Sequence, residues 1–306
     1  MRIKKFVYSA SVLALSALML TACSTTANKN SSKSSSSKPK TTQVQKKQKV
    51  GKQIAGAPLK DGTYKLQEDN YFNGYRVKMS MTVKNGKVCK TSYDDVNKAG
   101  KSKAKDTKYE SQMKKYAKTG PKEYIPELQK AFAENGANSN GVQVVSGATS
   151  STQTMKNYIN QLVQASQAGK AGTIHINNNK KMKDGTYKLS EKNYDHGYRQ
   201  VYTLIVKNGK VSNLKYDQIN KDGKSKTKDA NYEKQMKKIA KVGPKEYIPK
   251  LRSEFMKSKG NTEKVQVVSG ATDSSNQFIA YVDQLINAAQ KGDTKPITVN
   301  NIVYKQ

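Results

Sequence analysis

Apolar and polar residues alternate in single steps at two places in the chain. At the first place, Val77, Met79, Met81 and Val83 are separated by polar residues, and Asn85-Gly86 follows directly. A period of two is typical of a β-strand with one buried face. Asn-Gly is a preferred pair for the two-residue turn of a hairpin. The pattern therefore predicts a β-hairpin, and a second one where the alternation returns around Asn208-Gly209.

Other stretches have the spacing of helices. One helix is predicted over residues 109–118, and Gly120-Pro121 ends it and begins another that runs through Ile125, Leu128 and Phe132. A longer helix follows each short Val-Val strand. In the second of these helices the buried stripe is predicted to contain Phe278, Tyr281, Val282, Leu285, Ile286 and Ala289. The predicted fold class is therefore α+β, with an antiparallel sheet packed by helices.

The two hairpins belong to a duplication. The strings at residues 61–66, 120–126 and 144–149 recur at 184–189, 243–249 and 267–272, always with an offset of 123 residues. A unit of this length is a domain rather than a solenoid repeat. The sequence predicts one domain over residues 58–178 and a second over 181–306, with their boundary in the Asn/Lys-rich stretch Asn177 to Met182.

The first 22 residues have the form of an export signal. Basic residues precede an apolar run from Phe6 to Leu20, which is too short for a membrane-spanning helix. The run ends in Leu20-Thr21-Ala22-Cys23, which resembles the lipobox of bacterial lipoproteins, where the cysteine is diacylated and becomes the first mature residue. We expect a lipid anchor at Cys23 on the outer face of the cell membrane. The alternative is a plain signal peptide with an incidental cysteine.

Residues 23–57 are predicted to form a flexible tether. From Ser24 to Ala57 the chain contains eight Lys, many Ser, Thr and Gln, and no acidic residue. Such a composition cannot bury enough apolar surface to fold. The whole chain carries 56 Lys plus Arg against 23 Asp plus Glu, a net charge of +33. On an exported protein this charge indicates contact with an anionic cell wall rather than with nucleic acid.

The Cys and His residues are too dispersed for a metal centre. The chain has two of each, at Cys23, Cys89, His175 and His196, whereas zinc, haem and iron–sulfur sites need clustered ligands. Neither histidine is repeated in the other copy, so we expect no catalytic histidine. The sequence predicts no metal ligands and no catalytic residues of its own.

The strings Ser146-Gly147-Ala148-Thr149 and Ser269-Gly270-Ala271-Thr272 join a strand to a helix in each copy. Each threonine is therefore expected at a helix N-terminus, where unpaired N–H groups and the helix dipole favour a phosphate. Glycine and alanine just before it would let another molecule approach the backbone. A second interpretation is a simple helix cap, because Ser and Thr are preferred at that position.

These strings resemble the flavinylation motif D-x-x-[ST]-G-A-[ST] of the FMN-binding domain family, found in the sodium-translocating NADH:quinone reductase and the Rnf complex. The D-G-x-Y opening and the V-x-N-G-x-V hairpin extend the resemblance over most of both copies. It implies two tandem FMN-binding-type domains. It also implies that a flavin transferase, using FAD and magnesium, joins FMN to Thr149 and Thr272 through phosphodiesters. The loops around them would be shaped by Ser146, Gly147, Ala148, Ser269, Gly270 and Ala271.

The chain departs from the family motif at one position. Gln143 and Gln266 stand where the family has aspartate, six residues before each threonine. A neutral amide can form hydrogen bonds but supplies no negative charge for the magnesium of the transferase. Because both copies share the change and keep S-G-A-T, we interpret it as a tolerated variant. Candidates to stack on a flavin are the repeated tyrosines Tyr71, Tyr75 and Tyr93 and their counterparts Tyr194, Tyr198 and Tyr216.

The resemblance implies an electron carrier rather than an enzyme with its own substrate pocket. Two covalent FMN groups on an anchored protein of a Gram-positive cell would take electrons from a membrane NADH:quinone dehydrogenase or the quinone pool. They would pass them to extracellular acceptors such as ferric iron. The alternative is a non-redox cationic lipoprotein that binds the cell wall. The apolar end of the signal peptide, residues 16–22, also resembles the peptide pheromones cut from lipoprotein signals.

Overall fold

The computed structural model of the protein describes residues 41–43 and 52–305. The predicted signal peptide, the pheromone-like segment and Cys23 lie outside the described residues. Within them, two similar halves follow one another along the chain, each with a sheet and three helices. The predicted α+β class is confirmed. No described helix is both long enough and apolar enough to cross a membrane.

The first half contains three long strands, three helices and a final short strand, preceded by two very short strands. The two short strands β1 (Thr41–Gln43) and β2 (Gln53–Ala55) precede β3 (Gly62–Glu68), β4 (Arg76–Lys84) and β5 (Lys87–Val96). Three helices follow: α1 (Thr107–Ala117), α2 (Pro121–Asn135) and α3 (Thr149–Ala168). The half ends with β6 (Gly172–Ile176). The sheet order is β1-β5-β4-β3-β6.

The second half repeats this order. Its elements are β7 (Gly185–Glu191), β8 (Arg199–Lys207), β9 (Lys210–Ile219), α4 (Ala230–Ala240), α5 (Pro244–Lys257), α6 (Thr272–Lys291), β10 (Ile297–Val299) and β11 (Val303–Tyr304). The order of its four-stranded sheet is β10-β7-β8-β9. The strand β11 pairs instead with β2, ahead of the first half.

Each sheet is mixed rather than purely antiparallel as predicted. The strand β6 pairs with β3 in parallel, and β10 pairs with β7 in the same way. The sequence gives little indication of these strands, because they are short and have few buried residues. Each lies at a sheet edge, and it is placed there by the long helix that returns the chain to that edge.

The predicted tether contains two ordered segments. Thr41–Gln43 pairs with β5, and Gln53–Ala55 pairs with β11, so the prediction of a flexible chain up to residue 57 is wrong at these positions. Composition could not reveal these strands, because long-range pairing with distant strands, rather than local apolar content, holds them.

The predicted hairpin turns are confirmed. Asn85 and Gly86 have φ values of 53° and 68°, as a type I′ turn requires. The carboxylate of Asp61 accepts hydrogen bonds from both backbone N–H groups, at 2.8 and 2.9 Å. Asp184 does the same for the second turn. The aspartate of the D-G-x-Y string is therefore a clamp on the neighbouring hairpin.

The long helices α3 and α6 pack against each other and run antiparallel. Gln161 bonds to Asn287, and Gln164 exchanges amide hydrogen bonds with Gln284. Residue numbers thus rise along one helix as they fall along the other. Thr149 lies about 20 Å along α3 from these amide pairs, given a rise of about 1.5 Å per residue. Thr272, the first residue of α6, lies a similar distance from the amide pairs in the opposite direction. The two threonines are therefore at opposite ends of the helix pair.

Candidate functional site

The turn before α3 depends on Gly147. Its φ is +72°, and a Cβ atom there would lie 2.7 Å from the carbonyl oxygen of Ala117 and 2.5 Å from Cγ2 of Thr119. Gly270 is equally close to the end of α4. The sequence suggested that these glycines admit another molecule. Instead, the space beside each one is filled by the end of α1 in the first half and of α4 in the second, which fixes the turn in place.

Thr152, one turn into α3, holds the loop from inside. Its buried hydroxyl group donates to the carbonyl oxygen of Ala148 at 2.9 Å and accepts from the N–H of Val145 at 3.2 Å. In the second half Ser275 makes the same two bonds at 2.8 and 3.0 Å. The S-G-A-T loop is thus fastened by a residue three positions after the threonine.

Thr149 is the first residue of α3, after the N-cap residue Ala148, and it is exposed. The helix has no side-chain cap, and the Thr149 hydroxyl group forms no hydrogen bond within the described residues. Thr272 has the same position and exposure in α6. Neither threonine is the N-cap residue of its helix. Both hydroxyl groups are therefore open to chemistry beside unpaired helical N–H groups.

A cleft of about 670 Å³ opens next to Thr149. Gly147, Ala148 and Thr149 contribute to its lining, together with Ser150 and Ser151. Ser146 is exposed and is not part of the lining. Other walls come from the ends of β3 to β5, from α1 and from α2, and the lining also includes Phe72, Tyr75, Lys103, Asn179 and Glu263. The cleft therefore brings the start of α3 together with residues more than 70 positions earlier in the sequence.

Three tyrosines and a lysine form one wall of this cleft. The rings of Tyr75 and Tyr109 meet edge to face, with their centroids 5.8 Å apart. Nζ of Lys103 lies 4.1 Å from the Tyr109 centroid and 5.9 Å from that of Tyr124. The Tyr75 hydroxyl group donates to Asp106 at 2.5 Å. The wall is thus aromatic and positively charged, with its rings fixed by hydrogen bonds and by the cation.

Buried carboxylates lie at the floor of the cleft. Oε2 of Glu68 accepts from the N–H of Val77 at 2.8 Å. Burial raises the pKa of Glu68 to about 7. Burial likewise raises the pKa of Asp95, which accepts a hydrogen bond from Tyr124 and lies 3.8 Å from Nζ of Lys103. Glu68 at this floor can therefore hold a proton near neutral pH.

The second half has a smaller pocket in the equivalent place. Its volume is about 160 Å³, and its lining includes Glu191, Tyr198, Lys226 and Tyr232, which correspond to residues of the first cleft. Burial lowers the pKa of Lys226 to about 8. Thr272 is not part of the lining, to which α6 contributes Asp273, Ser274 and Gln277. The two halves therefore share a plan but differ in open space.

The first cleft has the volume and the chemistry that an FMN group would need if one were attached at Thr149. Its volume is within the range of about 300 to 1,000 Å³ that small-molecule sites occupy. The free hydroxyl group and the uncapped helix start provide an ester oxygen and N–H donors for a phosphate. Arg76 and Lys103 add positive charge in the lining, and the tyrosine rings offer faces for a flat ring system.

Several of the aromatic candidates line the cleft, and others do not. Tyr75 and Tyr93 are lining residues. Tyr71 is absent from the lining and lies under the guanidinium group of Arg76, at 4.9 Å. Sequence reasoning missed Lys103 and Tyr109. Their repetition as Lys226 and Tyr232 was the available signal, but lysine is too common in this chain for one position to stand out.

Gln143 and Gln266, at the motif's aspartate position, are both exposed. Neither side chain forms a hydrogen bond within the described part of the chain, although the backbone N–H of Gln266 bonds to Glu254 at 3.0 Å. Their side chains therefore contribute little to folding and face solvent near the start of each long helix.

No family model matches the chain. The 15 kDa lipoprotein of Treponema pallidum (strain Nichols) is 31% identical over 115 residues, which are 37% of this chain and 81% of the lipoprotein. The aligned length is close to one of the two repeated halves. The crystal structure of CPE2226 protein from Clostridium perfringens covers 39% of this chain and 97% of its own, with 31% identity and a TM-score of 0.36.

The fold and the site define a class of duplicated α+β proteins in which each half presents an exposed threonine at the start of a long helix. The chain belongs to the family of the 15 kDa lipoprotein of Treponema pallidum.

Proposed function

We propose that the protein is a cell-surface lipoprotein that carries FMN covalently on Thr149 and Thr272 and relays electrons. Cys23 would bear the lipid anchor. Electrons would come from a membrane NADH:quinone dehydrogenase or the quinone pool and leave to extracellular acceptors such as ferric iron. The membership in a lipoprotein family supports the anchor. The resemblance of both S-G-A-T segments to the flavinylation motif supports the cofactor.

The position of Thr149 carries this proposal. It is the first residue of an uncapped helix, its hydroxyl group has no partner within the described residues, and it lies on the rim of the largest of the clefts described above. A threonine kept for helix capping would instead be the N-cap residue and bond to a backbone N–H. The equivalent threonine in the second half has the same position.

Attachment would be a phosphoryl transfer from FAD, catalysed by a flavin transferase. The Thr149 hydroxyl oxygen attacks the phosphorus of the FMN moiety, so that a new P–O bond forms. The bond from that phosphorus to the AMP oxygen breaks, and AMP leaves. The hydroxyl proton passes to a base of the transferase. The exposure of Thr149 supports this step, because an external enzyme must reach the oxygen.

The chain's own residues would bind and tune the attached group. The backbone N–H groups at the start of α3 suit a phosphodiester, and the Tyr75 and Tyr109 rings suit a flat aromatic face. Lys103 and Arg76 would favour added negative charge in the cleft. Glu68, with its raised pKa, could hold a proton there. The flavin itself supplies one- and two-electron redox chemistry when bound.

The test is to express the full chain with an active flavin transferase and measure its intact mass and visible spectrum. We expect two FMN phosphodiester additions, localised by peptide mass spectrometry to Thr149 and Thr272. Each is expected to disappear in the corresponding Thr→Ala variant. Ser150→Ala is a matched control, because this neighbouring hydroxyl group is also exposed but lies outside the S-G-A-T string. A colourless, unmodified chain would contradict the proposal.

The charge of the chain supports a second candidate function. A net charge of +33 favours binding to anionic wall polymers without any redox role. A colourless protein that binds isolated cell walls and is released by salt would favour this candidate. A flavinylated protein with weak wall binding would exclude it as the main function.

A further inference from the structure

The two halves offer very different space to a ring system. The cleft beside Thr149 measures about 670 Å³, whereas the equivalent pocket in the second half measures about 160 Å³. The smaller value lies below the range of about 300 to 1,000 Å³ that is typical of small-molecule sites. The difference needs an explanation in side chains, because the three long strands and three helices of the first half recur in the second.

Glutamine side chains cross the second-half pocket. Nε2 of Gln200 donates a hydrogen bond of 2.7 Å to Oε1 of Gln277, and the Tyr202 hydroxyl group donates to Oε1 of Gln200. Gln200 and Tyr202 are buried, and Gln277 is half-buried. Pulling these groups apart would leave buried polar atoms without partners, so the bridge opposes the entry of a ring.

A second bridge reaches the start of α6. Nε2 of Gln218 donates to the Tyr216 hydroxyl group at 2.9 Å and to Oγ of Ser274 at 3.3 Å. Its oxygen accepts from Tyr247 at 2.8 Å. The rings of Tyr202 and Tyr216 stack with their centroids 4.8 Å apart. The glutamine side chains of this pocket are therefore held by satisfied hydrogen bonds, and the stacked rings belong to the buried core of the second half.

The first half lacks the residues that make the Gln200–Gln277 bridge, and Asp95 stands where the second half has Gln218. Val77, Thr154 and Met79 stand at the positions equivalent to Gln200, Gln277 and Tyr202. None of the three can form an amide bridge across the cleft. At the mouth, Phe72 is 63% exposed and lines the first cleft, whereas the equivalent Asp195 adds charge to the second pocket. The first cleft is open, with aromatic rings on its wall and at its mouth.

We propose that the two attachment sites are unequal. The ring system linked to Thr149 lies inside the first-half cleft, between its tyrosines, and the ring system linked to Thr272 stays outside its closed pocket. This inference rests on the proposed function, since it requires a flavin at both threonines. The enclosed flavin is shielded from solvent. The outer flavin is the one that meets soluble acceptors.

The experiment uses the full chain expressed with the flavin transferase, in two single-acceptor variants. Thr272→Ala keeps only the Thr149 flavin, and Thr149→Ala keeps only the Thr272 flavin. Intact mass first establishes one FMN on each. Flavin fluorescence and its quenching by iodide are then measured. The two acceptors lie at opposite ends of the antiparallel helix pair, so each signal reports its own surroundings.

We expect the Thr149 flavin to be several-fold dimmer, because stacked tyrosine quenches flavin emission, and several-fold less sensitive to iodide. Equal brightness and equal iodide sensitivity would overturn the inference while leaving the proposed function intact. A flavin on only one threonine would also overturn it. A chain with no flavin would overturn the proposed function itself, which mass spectrometry reveals before any fluorescence is measured.

Exchange of the bridging residues provides the matched control. In the Thr149→Ala background, Gln200→Val with Gln277→Thr should open the second pocket, dim its flavin and lower its iodide sensitivity. In the Thr272→Ala background, Val77→Gln with Thr154→Gln should close the first cleft and have the opposite effect. Circular dichroism identifies any variant that fails to fold. If both folded exchanges leave the signals unchanged, the glutamine bridge does not determine the difference and the inference is wrong.

Discussion

The hydroxyl group of Tyr158 donates a 2.6 Å hydrogen bond to Oε1 of Glu68, beneath the first-half cleft. Both residues are buried. The second half repeats the bond between Tyr281 and Glu191, at 3.1 Å. A pair kept in both halves places an acid of raised pKa at each site, and this has a measurable effect on stability.

Stability should fall as the pH rises from about 4.5 to about 7. Burial raises the folded-state pKa of Glu68 from 4.5 to about 7, so the folded chain binds more protons than the unfolded chain in this range. The loss is on the order of 3 kcal/mol at most, given about 1.4 kcal/mol per pKa unit. Urea unfolding of Glu68→Gln at several pH values should show a weaker pH dependence. Glu127→Gln, at an exposed position, is the control and should behave as the parent chain does.

The hydroxyl group of Thr152 should matter for both stability and modification. Thr152→Val keeps the side-chain shape but leaves the N–H of Val145 without its partner, which should cost about 1 to 3 kcal/mol. It should also lower FMN incorporation at Thr149. Thr152→Ser should restore both, because serine has this role at position 275. Urea titration and intact mass measure the two effects. Normal incorporation in the folded valine variant would show that the loop needs no such clamp.

Gly147→Ala should distort the first loop. The left-handed backbone and the Cβ clash with Ala117 should together cost about 2 kcal/mol or more and reduce modification of Thr149, but not of Thr272. Gly74→Ala separates the two causes, since Gly74 has a φ of +84° but nothing within 4 Å of its added Cβ. Peptide mass spectrometry gives the occupancy of each threonine. Equal losses of occupancy in both alanine variants would mean that the contact with Ala117 is unimportant.

Gln143→Asp should raise the rate of FMN transfer to Thr149. The residue is exposed and its side chain has no partner among the described residues, so the free energy of unfolding should change by less than about 0.5 kcal/mol. An aspartate would supply the negative charge that the flavinylation motif, which the S-G-A-T segment resembles, has for the magnesium of the transferase. The time course of modification by purified transferase measures the rate. Asn140→Asp, also near the loop but not in the motif, is a control for general charge.

Local patterns were enough to predict much of the fold. The Asn85-Gly86 turn, the break at Gly120-Pro121 and the long helix after each S-G-A-T string are all present. These features follow from residues close together in the sequence. The strands β2 and β11 were missed because their stability comes from pairing with each other across more than 240 residues.

The site was only partly predictable, for a related reason. The position of Thr149 at a helix start follows from its neighbours in the sequence. The cleft beside it does not, because Lys103, in a short 3-10 helix, and Tyr109, in α1, are brought to it by the packing of these segments against α2. The difference between the halves was present in the repeats, as valine at position 77 and glutamine at 200. Only the structure shows that each of these two side chains lines the cavity of its own half.

The pairing of Gln53–Ala55 with Val303–Tyr304 joins a segment near the beginning of the described chain to its end. Amide hydrogen bonds between α3 and α6 join the two halves a second time. A protease that cuts once in the linker near Asn179 therefore meets a molecule whose fragments remain attached. The fragment that carries the anchor would therefore retain the second fragment. A surface protein closed in this way is protected against shedding by a single nick.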